Sequence, residues 1–120
     1  MKVLIIDDSP IARFELKSML QNVGFENFYE AENGDEGFEL AKNIKPEIIS
    51  LDILMPGTDG VEILKKLRKE LPDSKVIMIS ALGKQHTLVE CLKIGAVNFI
   101  GKPYLTEQVE EVFGYYLNLK

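Results

Sequence analysis

The chain has 120 residues, 46% of them hydrophobic, which is enough apolar content to fill the core of one domain over residues 1–120. Its formal net charge is −5, so direct nucleic-acid binding is not expected, because that interaction depends on neutralising phosphates. No apolar stretch of about 18 residues and no charged-then-apolar leader occurs, so we expect no membrane insertion. The single cysteine, Cys91, cannot form an internal disulfide, which agrees with a reducing cytoplasm.

Strand-like and helix-like segments alternate five times along the chain, beginning with a predicted strand at residues 3–6. Ser9 and Pro10 then match a helix N-cap and first helical position, where the missing N–H of proline costs nothing. Gly24 is expected to end this helix, because glycine tolerates the left-handed conformation. The predicted core face of the helix holds Ala12, Leu16, Met19, Leu20 and Val23.

The later segments continue the same alternation. The remaining predicted strands are residues 28–31, 48–51, 76–79 and 98–100. The remaining predicted helices are residues 36–44, a helix through residue 71 after the loop 52–60, and residues 84–94 and 106–119. Val109, Val112, Phe113 and Tyr116 form a stripe at helical spacing that is typical of core packing. This alternation, with right-handed crossovers, predicts an α/β fold in which helices cover both faces of a parallel sheet.

Polar residues stand at the ends of four predicted strands. Asp7 and Asp8 follow the first strand, Asp52 the third, Ser80 the fourth and Lys102 the fifth. Because α/β proteins place ligands at the carboxyl ends of parallel strands, we expect these side chains to converge on one edge. Three crowded carboxylates repel one another and need a cation nearby. The sequence therefore predicts a metal site.

Taken singly, these residues have ordinary explanations. Most loop carboxylates are solvated, a lone lysine usually lies on the surface, and a serine after a strand is usually a turn or cap residue. Their combination at strand ends is what favours a functional site. The only histidine, His86, is expected to be a solvated side chain, and no His or Cys cluster supports another kind of metal site.

Other phosphate-handling motifs are disfavoured. Residues 95–102 resemble a P-loop, but the glycine spacing is one residue too long and Pro103 replaces the Ser/Thr that would bind Mg²⁺, so ATP binding is not expected. The dinucleotide-binding glycines are absent after the first strand. A haloacid-dehalogenase-type phosphatase would need an aspartate two residues after Asp52, and Leu54 stands there.

Over its whole length the chain resembles the receiver domain of response regulators. The matching motifs are Asp7-Asp8, Asp52 in a Leu-Asp-Ile-Leu-Met-Pro loop closed by Gly60, Ser80-Ala81, and Lys102-Pro103. The resemblance implies a flavodoxin-like doubly wound (βα)5 fold with a five-stranded parallel sheet of order 2-1-3-4-5. It also implies that the site lies at the switch point between strands one and three, and that the Lys102-Pro103 bond is cis.

The resemblance further implies a role for each site residue. Asp52 would accept a phosphoryl group from a phosphohistidine of a sensor histidine kinase or histidine phosphotransfer domain. Asp7, Asp8, Asp52 and the backbone carbonyl of Leu54 would hold Mg²⁺, the one cofactor expected, with Asp7 acting partly through water. Lys102 would contact the phosphoryl group. The chain would not be an enzyme, apart from its own phosphorylation and dephosphorylation.

In the resembled family, phosphorylation changes the protein surface. Ser80 would move toward the phosphoryl group and donate a hydrogen bond to it, and Phe99 would swing inward. A fixed core aromatic is the alternative for Phe99. The face of the fourth helix, fifth strand and fifth helix would then contact a downstream effector protein, with Tyr115 and Leu119 as a small apolar patch.

Two pairs of apolar residues are expected to flank the site. Ile11 and Phe14 lie off the core face of the first helix, and they are predicted to belong to the kinase-docking surface. Leu54 and Leu82 occupy positions that are more often polar in the resembled family. We expect these leucines to hinder the hydrolytic water and so to prolong the phosphorylated state.

Three functions remain open at this point. A stand-alone phosphorylation switch in two-component signal transduction is favoured, and residues 80–85 resemble chemotaxis-type receivers. The alternative is a receiver domain excised from a multidomain transcription factor or signalling enzyme. A pseudo-receiver used as a scaffold is disfavoured by the complete set of site residues.

Overall fold

The computed structural model describes residues 1–81 and 85–118, and its main sheet has five parallel strands. The strands are β1 (Lys2–Ile6), β2 (Asn27–Ala31), β3 (Ile48–Asp52), β4 (Lys75–Ser80) and β5 (Asn98–Gly101). The helices are α1 (Pro10–Val23), α2 (Gly34–Ile44), α3 (Gly60–Glu70), α4 (Gln85–Ile94) and α5 (Thr106–Leu117). The strand order β2-β1-β3-β4-β5 confirms the predicted flavodoxin-like doubly wound sheet.

The sheet separates two hydrophobic cores. One core joins alternate strand residues such as Leu4 and Ile49 to helices α2, α3 and α4. The other core joins the intervening residues, such as Val3 and Ile48, to α1 and α5, including Phe113. Because successive strand side chains point to opposite faces, continuous apolar runs serve both cores. In the described ranges, no helix combines the length and the apolar content that crossing a membrane requires.

Side-chain caps define the first turns of α1 and α3, the helices that directly follow the loops of the candidate site. The hydroxyl of Ser9 accepts a hydrogen bond from the Ala12 N–H, and the carboxylate of Asp59 accepts one from the Val61 N–H. Helix α1 ends as predicted at Gly24, whose φ is 126°. The predicted core faces of α1 and α5 are also confirmed, since their residues are buried or packed against the second core.

The structure differs from the predicted elements mainly at their ends. Strands β1, β2 and β4 each begin one residue earlier than predicted, and α2 begins at Gly34 because Asn33 caps it. The predicted loop 52–60 also contains a short antiparallel hairpin of Leu54–Met55 and Thr58–Asp59. Two-residue strands carry no readable alternation, so the sequence pattern missed them. The predicted start of α4 at residue 84 and the predicted end of the last helix at residue 119 lie outside the described residues.

Helix α2 approaches the sheet closely at Gly37. A methyl group at this position would lie 2.5 Å from Cδ1 of Ile6, a side chain with no exposed surface. At Gly114 in α5, the nearest neighbour of such a methyl group would be Cγ1 of Val23, at an ordinary 3.6 Å. The two helical glycines therefore differ in the space beside them.

Gly37→Ala should lower the free energy of unfolding by about 1–3 kcal/mol, because overpacking a filled core outweighs the better helix propensity of alanine. Gly114→Ala, the matched control, should raise it by up to about 1 kcal/mol, since only the propensity changes. Urea denaturation of both variants measures the difference. Equal effects of the two substitutions would show that the close approach of α2 to the sheet at Gly37 does not affect the free energy of unfolding.

Candidate functional site

The carboxyl edge of the sheet brings two acids and a lysine into contact. Asp7 directly follows β1, Asp52 ends β3, and Lys102 directly follows β5. Nζ of Lys102 lies 2.8 Å from Oδ2 of Asp7 and 2.9 Å from Oδ2 of Asp52. Both carboxylates are buried, with 1% of Asp7 and 3% of Asp52 exposed. One ammonium group therefore faces two desolvated carboxylates.

Asp8 adds a third carboxylate to this cluster. One carboxylate oxygen from each of Asp7, Asp8 and Asp52 lies within 4.8 Å of the other two, and Asp8 is the exposed member. Like charges at this separation disfavour one another, and the lysine supplies a single compensating charge. Binding of a further cation at this cluster would therefore be electrostatically favourable.

Asp7 is fixed from several directions. Its N–H donates to the Ala31 carbonyl at 3.1 Å, and its Oδ1 accepts from the Ser9 N–H at 2.9 Å. Its backbone carbonyl accepts a hydrogen bond from Nη1 of Arg13 at 2.6 Å. Oδ2 is buried and, among the described residues, has no hydrogen bond of acceptable geometry, although Nζ of Lys102 is close. A desolvated oxygen in this condition suits a bound cation.

The residues present fit Mg²⁺, which prefers oxygen ligands and keeps several waters. Asp7, Asp8 and Asp52 offer one carboxylate oxygen each within a common 4.8 Å. The N–H of Leu54 donates to Oδ1 of Asp52 at 3.0 Å, whereas the ligand role of the Leu54 carbonyl stays a prediction. The exposure of Asp8 leaves one side of the cluster open to solvent, where waters could complete the coordination.

The electrostatics of Asp52 and Lys102 follow from burial and from their mutual contact. Burial raises the pKa of Asp52, and the hydrogen bonds from Lys102 and Leu54 oppose this effect without cancelling it. For Lys102, burial acts to lower the pKa, but the bond to Asp52 and the contact with Asp7 outweigh it and leave the pKa raised. Lys102 is therefore protonated at neutral pH.

Ser80 and Phe99 lie beside this cluster on β4 and β5. Ser80 is buried, and its hydroxyl donates to the carbonyl of Ala81 at 2.9 Å. Phe99 is 38% exposed, which does not fit the alternative of a fixed core aromatic. Both residues line one cavity with Lys102 and Leu88. The cavity leaves space next to the site into which a side chain could turn.

The remaining predictions concern one peptide bond and several side chains expected at the surface. The Lys102-Pro103 peptide bond is cis, as predicted, and His86 is exposed. Ile11 and Phe14 are 72% and 70% exposed beside the site. The remaining exposed side chains of interest are Leu54 and Tyr115, whereas the predicted partners of these two, Leu82 and Leu119, lie outside the described residues.

The sequence analysis did not identify Arg13, which the structure places against the acidic cluster. Its Nη1 bonds the Asp7 carbonyl, and its Nε bonds Oε1 of Glu30 at 3.0 Å. One signal was present in the sequence: a cation in the first turns of a helix opposes the helix dipole, so its position indicates a tertiary partner. The identity of that partner required the fold.

The chain is similar to known proteins over most of its length. The family model for the response regulator receiver domain matches residues 3–113. Chemotaxis protein CheY of Thermotoga maritima is 40% identical over 110 residues, which are 92% of this chain and 92% of that protein. Chemotaxis protein CheY of Listeria monocytogenes is 41% identical over 111 residues, which are 92% of this chain and 93% of that protein.

Solved structures show the same similarity. A chain in the crystal structure of the CheX-CheY-BeF3-Mg+2 complex from Borrelia burgdorferi is 34% identical, with a TM-score of 0.90. The match covers 98% of this chain and 89% of that chain. The chain therefore belongs to the response regulator receiver domain family, a class of two-component signalling domains. Within that class it is CheY-like, and receiver domains of this type are generally non-enzymatic signalling proteins.

The raised pKa of Asp52 predicts how stability depends on pH without divalent cations. The folded protein keeps a proton on this carboxyl where the unfolded chain has lost it, so this contribution is present at low pH and is lost as pH rises through the folded pKa. Asp52→Asn should therefore raise the free energy of unfolding in EDTA at about pH 7, and the gain should vanish near pH 4.

Urea denaturation at both pH values measures this effect. Asp73→Asn is the control, because Asp73 is an exposed carboxylate in a turn, and its effect should stay within about 0.5 kcal/mol. A loss of stability in Asp52→Asn at neutral pH would contradict the prediction, since it would mean that the bond to Lys102 outweighs the burial of the charge.

Proposed function

We propose that residues 1–120 form one receiver domain that works as a phosphorylation switch in two-component signalling. Asp52 accepts a phosphoryl group from the phosphohistidine of a sensor histidine kinase or histidine phosphotransfer domain. The observation that carries this proposal is the contact of Nζ of Lys102 with both Asp7 and Asp52 inside a cluster of three carboxylates. The similarity to CheY proteins supports chemotaxis as the pathway.

In the proposed transfer, an oxygen of the Asp52 carboxylate attacks phosphorus. A phosphorus–oxygen bond forms as the phosphorus–nitrogen bond breaks, and the electron pair of the broken bond stays on the imidazole nitrogen. A phosphohistidine ring protonated at its other nitrogen then leaves as neutral imidazole. The chain itself contributes mainly the position of Asp52, held by the Leu54 N–H and by Lys102.

The neighbouring residues balance the charge that enters with the phosphoryl group. Asp7, Asp8 and the Leu54 carbonyl, with Asp52, would hold Mg²⁺. When bound, this ion offsets negative charge on the carboxylates and on phosphoryl oxygens. Protonated Lys102 is already within bonding distance of Asp52, so its ammonium group can follow the negative charge onto the phosphoryl oxygens. Positioning and charge balance supply most of the proposed catalysis.

The proposed output begins at Ser80. Its hydroxyl would turn from the Ala81 carbonyl toward the phosphoryl group, and Phe99 would move into the vacated part of the neighbouring cavity. The face of α4, β5 and α5 would then present a changed surface to an effector protein. Exposed apolar side chains on this face, including Val89 and Tyr115, support a protein partner.

The proposed kinase-docking surface lies next to the site, at the start of α1. Ile11 and Phe14 are both largely exposed on the first turns of α1, next to the loop that carries Asp7 and Asp8. Leu105, in the loop after Lys102, is also 61% exposed. An apolar rim around a charged site suits a partner that must deliver a phosphoryl group to Asp52.

Incubation with Mg²⁺ and a small phosphodonor such as acetyl phosphate tests the proposal. The intact mass of the wild-type chain should increase by one phosphoryl group, because Asp52 is positioned to attack phosphorus without a kinase. Asp52→Asn should stay unmodified, and excess EDTA should suppress the modification of the wild type. The control Asp73→Asn should be modified like the wild type, and an unmodified wild type would overturn the proposed function.

Leu54 is proposed to slow the loss of the phosphoryl group, since its side chain is apolar, 58% exposed and two residues from Asp52. Leu54→Asn should shorten the lifetime of the phosphorylated protein, because an amide can hold a water near phosphorus where a leucine cannot. Release of inorganic phosphate after removal of the phosphodonor measures the rate. Leu105→Asn, at another exposed leucine near the site, should leave the rate unchanged; equal rates for wild type and Leu54→Asn would contradict the proposal.

A further inference from the structure

Arg13 occupies an unusual environment for a residue near a helix start. Its side chain is only 16% exposed, and it is the fourth residue of α1, near the N-terminal end, where the helix dipole disfavours a positive charge. Its guanidinium uses two different nitrogens for two partners, Nη1 for the Asp7 carbonyl and Nε for Glu30. Both bonds are charge-assisted, and such bonds are stronger than neutral ones.

The bond to Asp7 acts on the peptide that joins two of the three clustered acids. The Asp7 carbonyl belongs to the planar peptide unit between Asp7 and Asp8, so fixing its oxygen orients the α-carbons of both residues. The Asp7 N–H is fixed on the other side by Ala31, the residue that follows Glu30 in β2. The end of β2 therefore holds Asp7 directly through Ala31 and indirectly through Glu30 and Arg13.

We infer that Arg13, anchored by Glu30, is a positioning residue of the Mg²⁺ site that sets the direction of the Asp7 and Asp8 carboxylates. This inference rests on the proposed function, because it assumes that the acidic cluster binds Mg²⁺. Arg13 itself bonds a backbone oxygen and not a carboxylate of the cluster. Its effect on the metal is therefore exerted through the geometry of the Asp7–Asp8 turn.

The sign of the effect separates positioning from simple electrostatics. A positive charge beside a cation site repels the cation, so removal of the Arg13 charge alone would tighten Mg²⁺ binding. Loss of a positioning contact would weaken it, because partners behind a metal ligand commonly contribute 10–100-fold in affinity. Arg13→Lys keeps the charge but lacks the planar fork, so it cannot reproduce two bonds from two nitrogens.

Arg68 provides a matched control for the loss of an arginine. Its Nη1 donates to the carbonyls of Pro72 and Ser74, at 3.0 and 3.1 Å, and Ser74 lies directly before β4, at the opposite end of the strands from the site. Arg68→Met therefore removes a similar anchoring role without touching the acidic cluster. Arg13→Met and Arg68→Met should both lower the thermal stability of the protein in EDTA.

Isothermal titration with Mg²⁺ tests the inference on the full chain. Arg13→Met should raise the Mg²⁺ dissociation constant by about tenfold or more relative to wild type, and Arg13→Lys should also raise it. Arg68→Met should bind Mg²⁺ like the wild type. Thermal unfolding in EDTA identifies the variants that are folded, and Arg13→Lys decides the question if Arg13→Met does not fold.

Each outcome bears on the inference. Weaker binding confined to the Arg13 variants supports it. Unchanged or tighter binding by the Arg13 variants, with normal binding by wild type, overturns the inference and leaves the proposed function intact. An equal loss in Arg68→Met overturns it as a general effect of destabilisation. No Mg²⁺ binding by the wild type overturns both the inference and the metal-dependent function.

Discussion

Mutual repulsion among three carboxylates, offset by one ammonium group, is the interaction on which the rest of this site depends. Asp7 and Asp52 are buried, so water screens their charges poorly, and Lys102 contacts both of them. A cluster with this charge balance favours the binding of a cation, and in the proposed function that cation would offset the charge of the incoming phosphoryl group. The predicted metal site and the proposed phosphoryl transfer therefore have the same electrostatic origin.

The parallel sheet makes this crowding possible. Strands β1 and β3 are neighbours, and their ends place Asp7 and Asp52 on the same edge, while β5 returns Lys102 to that edge from across β4. The two hydrophobic cores hold these strands in register, since nearly every residue of the three central strands, β1, β3 and β4, is buried. The folding energy of the cores thus maintains an arrangement of charges that would not assemble by itself.

The same edge connects the acidic cluster to the surface proposed for output. Ser80 ends β4 with its hydroxyl turned toward the Ala81 carbonyl, and Phe99 on β5 lies partly exposed next to a shared cavity. In the proposed switch, a change of charge at Asp52 would be transmitted by rotation of the Ser80 and Phe99 side chains. Such a device needs packing that allows two discrete arrangements, and the cavity beside Phe99 provides the space.

Local sequence signals predicted the alternation of strands and helices and the five polar residues at strand ends, because buried strands and turn residues have local patterns. The strand order was predicted from the family resemblance, which rests on specific motifs around Asp52 and Lys102. The sequence did not determine the hairpin at Leu54–Met55, since two residues carry no period, or the partner of Arg13. The three-dimensional structure was needed to show that Arg13 contacts the Asp7 carbonyl and Glu30, and that the Ser80 hydroxyl donates to the Ala81 carbonyl. The Arg13 contacts join different elements, and the Ser80 hydrogen bond depends on a side-chain rotamer. Both are selected by tertiary packing, so the local sequence pattern does not predict them.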